Sequence, residues 1–131
     1  MKKSKQSRAR EFSPAARMEI ERRDRWKCIF CQMGYKKAKD EWFASQIMEI
    51  MHYIPRSKNG LGIPQNGAVG CQYHHHMMDN GNQGNREEML DMFKEYLQSK
   101  YPDWNEKDLV YDKWRFLKEE TQEIEDLLKR S

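Results

Sequence analysis

The chain has 131 residues, room for one domain with an appended tail or helix and too few for two ordinary domains. Only 37% of residues are hydrophobic against 34% charged, which limits the core and makes a chemical staple useful. The net charge of +3 is uneven: residues 1–60 carry +8 and residues 61–131 carry −5, so a polyanion would meet the front half. No run approaches the roughly 20 apolar residues of a membrane span, and the basic start "MKKSKQSRAR" has no apolar segment behind it, arguing against a secretory signal. Three cysteines, two of them spaced Cys28-x-x-Cys31, speak against a disulfide framework and for a reduced, cytoplasmic setting and a metal.

In chain order, residues 1–11 read as basic, without large apolar groups and disordered when alone. Ser13 as N-cap and Pro14 at the first helical position predict a helix over about 14–24. "RWKCIFCQMGYKK" reads as strand-like around the cysteine pair, turning at Gly34. Residues 43–54 fit helix or strand by periodicity; the aromatic and β-branched residues and the stop at Pro55 favour a strand. A long glycine-punctuated loop follows, then a short antiparallel strand "AVGC", then a helix from about Cys71 to "DNGNQGN". "REEMLDMFKEYLQSKY" predicts an amphipathic helix with Met89, Met92, Phe93, Tyr96 and Leu97 on one face. A last helix is expected over about 115–129, with Leu117, Ile124, Leu127 and Leu128 as core or dimer seam. Trp26, Trp42, Trp104 and Trp114 are taken as packing residues. The boundaries predicted are a tail over 1–12, a principal domain over 13–101 and a helical extension over 102–131.

Two constellations carry chemistry. Cys28-x-x-Cys31 and Cys71-x-x-His74 supply four soft or borderline ligands in two knuckles, the pattern of a closed tetrahedral Zn²⁺ site. Such a site can supply much of the folding free energy of a chain so poor in apolar residues. The bland alternative is three unrelated cysteines. The second group comprises His52 at the end of the first strand, Asn66 in the return of the loop, and His75 with Asp79. Four residues apart on a helix, His75 and Asp79 project from one face and can share a cation.

The stretch "RDRWKCIFC…EIMHYIPRSKNGLGIPQNGAVGCQYHHHMMDNG" resembles the HNH family of ββα-metal nucleases, in the subgroup stapled by a zinc ribbon, over about residues 22–81. The resemblance implies an α+β fold: a small ββα-metal core with zinc-ribbon knuckles and flanking N- and C-terminal helices. It implies an endonuclease that hydrolyses DNA phosphodiester bonds with one Mg²⁺ or Mn²⁺ ion, leaving 5′-phosphate and 3′-hydroxyl ends. His52 matches the general base, Asn66 the residue that fixes loop and hairpin through backbone hydrogen bonds, and His75 a ligand of the catalytic ion. Asp79 falls where many members have a further metal-binding histidine. Arg56 and Lys58 sit where phosphates would pass, although Arg56 reads equally as a surface charge. For His75 the alternatives are a register shift, with His75 on zinc and His76 on the catalytic ion, or a helix cap; Asp79 also suits an ordinary helix stop.

Two departures stand out. His74 replaces the commoner fourth cysteine, and Met51 stands where many relatives carry an Asp or His ligand. Glu49 on the same strand is a weaker candidate to contribute. Small HNH proteins occur in phage genomes, where some assist packaging, which makes DNA and a packaging machinery the partners the family suggests. The alternative is a non-catalytic zinc-stapled nucleic-acid-binding module, in which Met51 marks lost cleavage. A third reading is an adaptor that uses its acidic C-terminal helix.

Overall fold

The computed structural model describes residues 4–37, 40–80 and 84–130, the side chains of residues 113 and 115–120 excepted. Helices α1 (Lys5–Arg10), α2 (Pro14–Asp24) and α3 (Ile29–Gln32) precede a two-stranded sheet of β1 (Met48–His52) and β2 (Gly67–Cys71). Helices α4 (Gln72–Asn80), α5 (Asn85–Lys100) and α6 (Lys113–Lys129) follow. This is an α+β chain in which one hairpin is surrounded by helices.

Local chemistry accounts for several boundaries. Ser13 caps α2, its hydroxyl oxygen accepting from Ala16 N–H at 3.1 Å, and Pro14 opens the helix where its missing N–H costs nothing. The strands are antiparallel, pairing Met48 with Cys71 and His52 with Gly67; the strand expected over 43–54 is shorter, a 3-10 turn at Ala44–Gln46 preceding it. Diagonally across from Met51, whose register partner is Ala68, Gly70 leaves room for the methionine sulfur that a Cβ would displace. Met51 is thereby sealed in the core.

That core gathers Phe30 from α3, Met51 and Ala68 from the hairpin, Met78 from α4, and Met89, Phe93 and Leu97 from α5. Phe93 meets Phe30 edge-on at 6.4 Å and Tyr53 at 5.5 Å. The predicted face of α5 faces inward, with Met89, Phe93 and Leu97 buried and Met92 and Tyr96 partly so.

A polar brace lies beside it. Asp24, 2% exposed, accepts from Arg23 at 2.7 and 3.0 Å, from Val69 N–H of β2 at 2.8 Å and from the Tyr96 hydroxyl of α5. Arg23 donates onward to the carbonyls of Pro64 at 2.9 Å and Gly67 at 2.6 Å. One buried ion pair thus joins α2, the start of β2 and α5, with its polar atoms partnered as burial requires.

Several expectations change. The cysteine segment is a single helical turn, α3, not a strand: Cys28 caps it and Gly34, at φ +72°, ends it. Residues 5–10, read as part of a disordered tail, form α1, which packs on the glycine-rich loop; Gly62 N–H donates to Ala9 O at 2.9 Å, and a Cβ on Gly62 would collide with the Glu11 backbone. Residues 1–3 of that tail lie outside the described residues. The boundary at 101 also moves, because Leu109 is buried, its carbonyl accepts from Leu61 N–H at 2.8 Å, and Tyr111 N–H donates to Asn59 O at 2.7 Å. The chain to about residue 111 therefore belongs with the hairpin.

Three of the four tryptophans do not pack as expected: Trp26, Trp42 and Trp114 are exposed, while Trp104 stacks edge-on to Tyr53 and donates to Gln65 O at 2.7 Å. Ile124, Leu127 and Leu128 of α6 are exposed too, so they are not core; Leu117 lies outside the described side chains.

Replacing Asp24 by alanine strands a guanidinium, an amide and a phenol in the interior. It should lower the unfolding free energy by about 3–5 kcal/mol, seen as a reduced urea midpoint at unchanged slope.

Candidate metal centre and the adjoining histidine site

The two knuckles converge. Cys28 and Cys31 flank the first turn of α3, and Cys71 ends β2 with His74 one turn into α4. Their ligand atoms all lie within 4.8 Å of one another. With Zn–S near 2.3 Å and Zn–N near 2.0–2.1 Å, a tetrahedron has S···S edges of about 3.7–3.8 Å and S···N edges of about 3.5 Å. Cys31 and Cys71 sulfurs stand 3.7 Å apart, and His74 Nδ1 lies 3.5, 3.4 and 3.3 Å from Cys28, Cys31 and Cys71. These four separations match the edges of a Zn²⁺ tetrahedron, and the remaining two lie within 4.8 Å.

The outer contacts agree. His74 Nε2 is 2.6 Å from Tyr35 O, which can only accept, so the proton sits on Nε2 and Nδ1 offers its lone pair inward. Backbone N–H groups of Cys31 and His74 point at the sulfurs of Cys28 and Cys71 at 3.5 and 3.4 Å, spreading thiolate charge. Hydrogen bonding from Cys28 draws the Cys71 thiol down to about 4, while the same contact, with burial, pushes Cys28 up. Burial also raises Cys31. Filling the site therefore expels protons, and acid opposes it. His74, not His75, closes the cluster, which removes the alternative register.

The second group is arranged around the hairpin. His52 ends β1 half-buried, its ring 4.3 Å from that of Phe12. Its Nε2 is 2.8 Å from Arg10 O, which fixes the proton on Nε2 and leaves Nδ1 as the basic nitrogen. Burial lowers the His52 pKa below the usual 6.5; the Arg10 carbonyl opposes this, and electrostatic repulsion from the nearby Arg56 and His75 adds to it. The imidazole is thus neutral at pH 7. The sequence did not reveal the partner carbonyl, since it comes from 42 residues upstream in the segment read as disordered.

Asn66 is fully buried and makes its bonds to backbone: Oδ1 accepts from Ile54 N–H at 2.8 Å, and Nδ2 donates to Ile54 O at 3.1 Å and Leu61 O at 2.8 Å. It clamps the two ends of the loop immediately after β1 and takes no other visible role. His75 is partly buried on the side of α4 near β1, Nδ1 3.6 Å from Glu49 Oε2 and Nε2 3.3 Å from Asp79 Oδ2. His76 is exposed. Arg56 is exposed in a 3-10 turn, 3.6 Å from Glu11 Oε1, and its carbonyl accepts from the Arg10 guanidinium at 3.0 Å; Lys58 is exposed in the same turn. Met51 faces the core and binds nothing ionic.

No family model, curated protein or solved structure matches the chain. Among the described residues no helix is long and apolar enough to cross a membrane, and the Cys28, Cys31, Cys71 and His74 group can hold a metal such as zinc.

Purified protein should carry about one Zn²⁺ per chain, measured by atomic emission. Cys71→Ser or stripping by a strong chelator should cost most of the cooperative melting transition, because the cluster contributes Cys28 and Cys71 to the core itself. A melting curve unchanged after metal removal would contradict a folding role.

Proposed function

We propose that the chain is a metal-dependent endonuclease of the HNH type, cutting DNA with His52 as general base and a divalent ion held at His75. The observation that carries this reading is the state of His52. It ends the first strand of a hairpin that runs directly into α4, its Nε2 is held by a backbone carbonyl, and its Nδ1 is a neutral base.

In this reading β1, β2 and α4 form the ββα-metal core. Nδ1 of His52 takes a proton from water as it attacks phosphorus. When bound, the ion at His75 polarises the phosphate and stabilises the departing 3′ oxygen. Asn66 keeps the loop closed beneath His52 through its bonds to Ile54 and Leu61, and the Cys₃His clasp holds α4 against β2. Arg56 and Lys58, with the basic residues of α1, meet phosphates without reading bases. Arg10 acts twice, its carbonyl positioning His52 and its guanidinium bonding the Arg56 carbonyl.

A specific observation favours a second reading. Met51 lies buried where the family places a strand ligand, which suits a zinc-stapled nucleic-acid-binding module without cleavage. Plasmid nicking with Mn²⁺ or Mg²⁺ separates the two. The nuclease reading expects wild-type nicking and a drop of about 10²–10⁴-fold in His52→Ala, the usual contribution of a general base. DNA shifts without nicking by either protein would favour the module.

The pH profile supplies a further check. A base whose pKa is depressed loses function only as pH falls through that lowered value. The rising limb of the nicking rate should therefore lie below pH 6.5. Its protonation should also cost stability in the same acidic window, where the unfolded chain binds the proton and the folded chain does not. Deleting residues 1–11 removes the Arg10 carbonyl; it should cut the nicking rate about 10-fold or more and alter this limb while zinc stays bound.

A further inference from the structure

We propose that Cys31 is a site of oxidative modification: it is the ligand of the Cys₃His cluster that a small hydroperoxide reaches, and its oxidation joins it to Cys71 in a disulfide and opens the cluster. The proposal needs the metal cluster but not the nuclease reading.

The four ligands are not equally sheltered. Cys28 is 1% exposed and Cys71 and His74 are fully buried, whereas Cys31 is exposed. The cause is local. α3 is one turn long; it sends Cys28, Ile29 and Phe30 into the core and leaves Cys31 outside it. Cys31 lines an open pocket of about 530 Å³ together with Trp26, Lys27, Gln32, Gln46 and Met48. Cys28 belongs to the same wall but shows almost no surface. A cysteine that ligates a metal is a thiolate, so access decides which of the three sulfurs an oxidant takes first. Lys27 adds a cation to the pocket, of the kind that accompanies reactive thiolates.

A resolving sulfur is already at hand, since Cys71 Sγ stands 3.7 Å from Cys31 Sγ. The Cys31 thiolate attacks one peroxide oxygen; an S–O bond forms, the O–O bond breaks and hydroxide departs. The Cys71 thiolate then attacks the Cys31 sulfur, the new S–O bond breaks, a second hydroxide departs and the sulfurs close to about 2.05 Å. The two sulfurs have lost two electrons, the peroxide has gained them, and both hydroxides take a proton from solvent to end as water. Cys28 and His74 are the donors left, fewer than the four of a closed structural site. α3 stays joined to the end of β2, now through sulfur, while α4 is released from the tie that His74 made.

The test exposes the zinc-loaded full-length chain to hydrogen peroxide at neutral pH. Zinc release is followed with a chromogenic chelator, and the cysteines are mapped by mass spectrometry after differential alkylation. One zinc should leave per chain, with Cys31 linked to Cys71 and Cys28 still a thiol, and dithiothreitol should restore zinc uptake. Without peroxide, a limiting dose of N-ethylmaleimide should label Cys31 about 10-fold or more ahead of Cys28 and Cys71. Cys31→His offers the metal a ligand that forms no disulfide and should slow release about 10-fold or more. Where that variant fails to hold zinc, the labelling order and the mapped pair in wild type decide alone. Release from Cys31→His at the wild-type rate, labelling of Cys28 or Cys71 ahead of Cys31, a first disulfide other than Cys31–Cys71, or zinc retained under peroxide that oxidises free cysteine in the same tube would overturn the proposal. A chain that takes up no zinc removes it together with the cluster. Failure of plasmid nicking removes the nuclease reading and leaves this one standing.

Discussion

Four potential ligand atoms from two knuckles forty residues apart converge within 4.8 Å, and the placement of the elements around them follows from that meeting. α3 is four residues long, far too short to hold itself in water. Its position comes from Cys28 and Cys31 on one side and from Ile29 and Phe30 in the core on the other. The same point fixes the end of β2 to the first turn of α4, which sets the angle at which α4 leaves the hairpin. His75 is the next residue after the ligand His74, so the clasp also sets where His75 points.

A second, independent constraint acts at the opposite end of β2. The Asp24 carboxylate takes the Val69 amide and the Tyr96 hydroxyl, and Arg23 holds the carbonyls of Pro64 and Gly67. Both ends of a five-residue strand are thereby held, one by a cluster of soft ligands and one by a buried ion pair. This compensates for a sheet of two strands, which alone is marginal in water. It also explains how a chain with 37% hydrophobic residues supports a defined site.

The site itself is assembled from three levels of the chain. His52 comes from the hairpin, its tautomer from the backbone of the N-terminal segment, and His75, beside Glu49 of β1, from α4. Coupling of this sort makes α1 more than a basic arm: its backbone reaches His52, and its side chains reach the loop, Gln6 donating to Asn59 at 2.7 Å.

What the sequence determined by itself were features with a local cause or a rigid spacing. Ser13-Pro14 set the start of α2, Pro55 and the β-branched residues set a strand near 48–52, the stripe from Met89 to Leu97 set α5, and two Cys-x-x-ligand pairs set the metal cluster. Tertiary structure alone decided the rest. Whether "CIFC" was strand or helical turn depended on its sulfurs meeting Cys71 and His74 some forty residues on, and whether residues 5–10 were ordered depended on a loop more than fifty residues away. Those outcomes turn on long-range contacts whose energies exceed local propensity, and no window of neighbouring residues contains them.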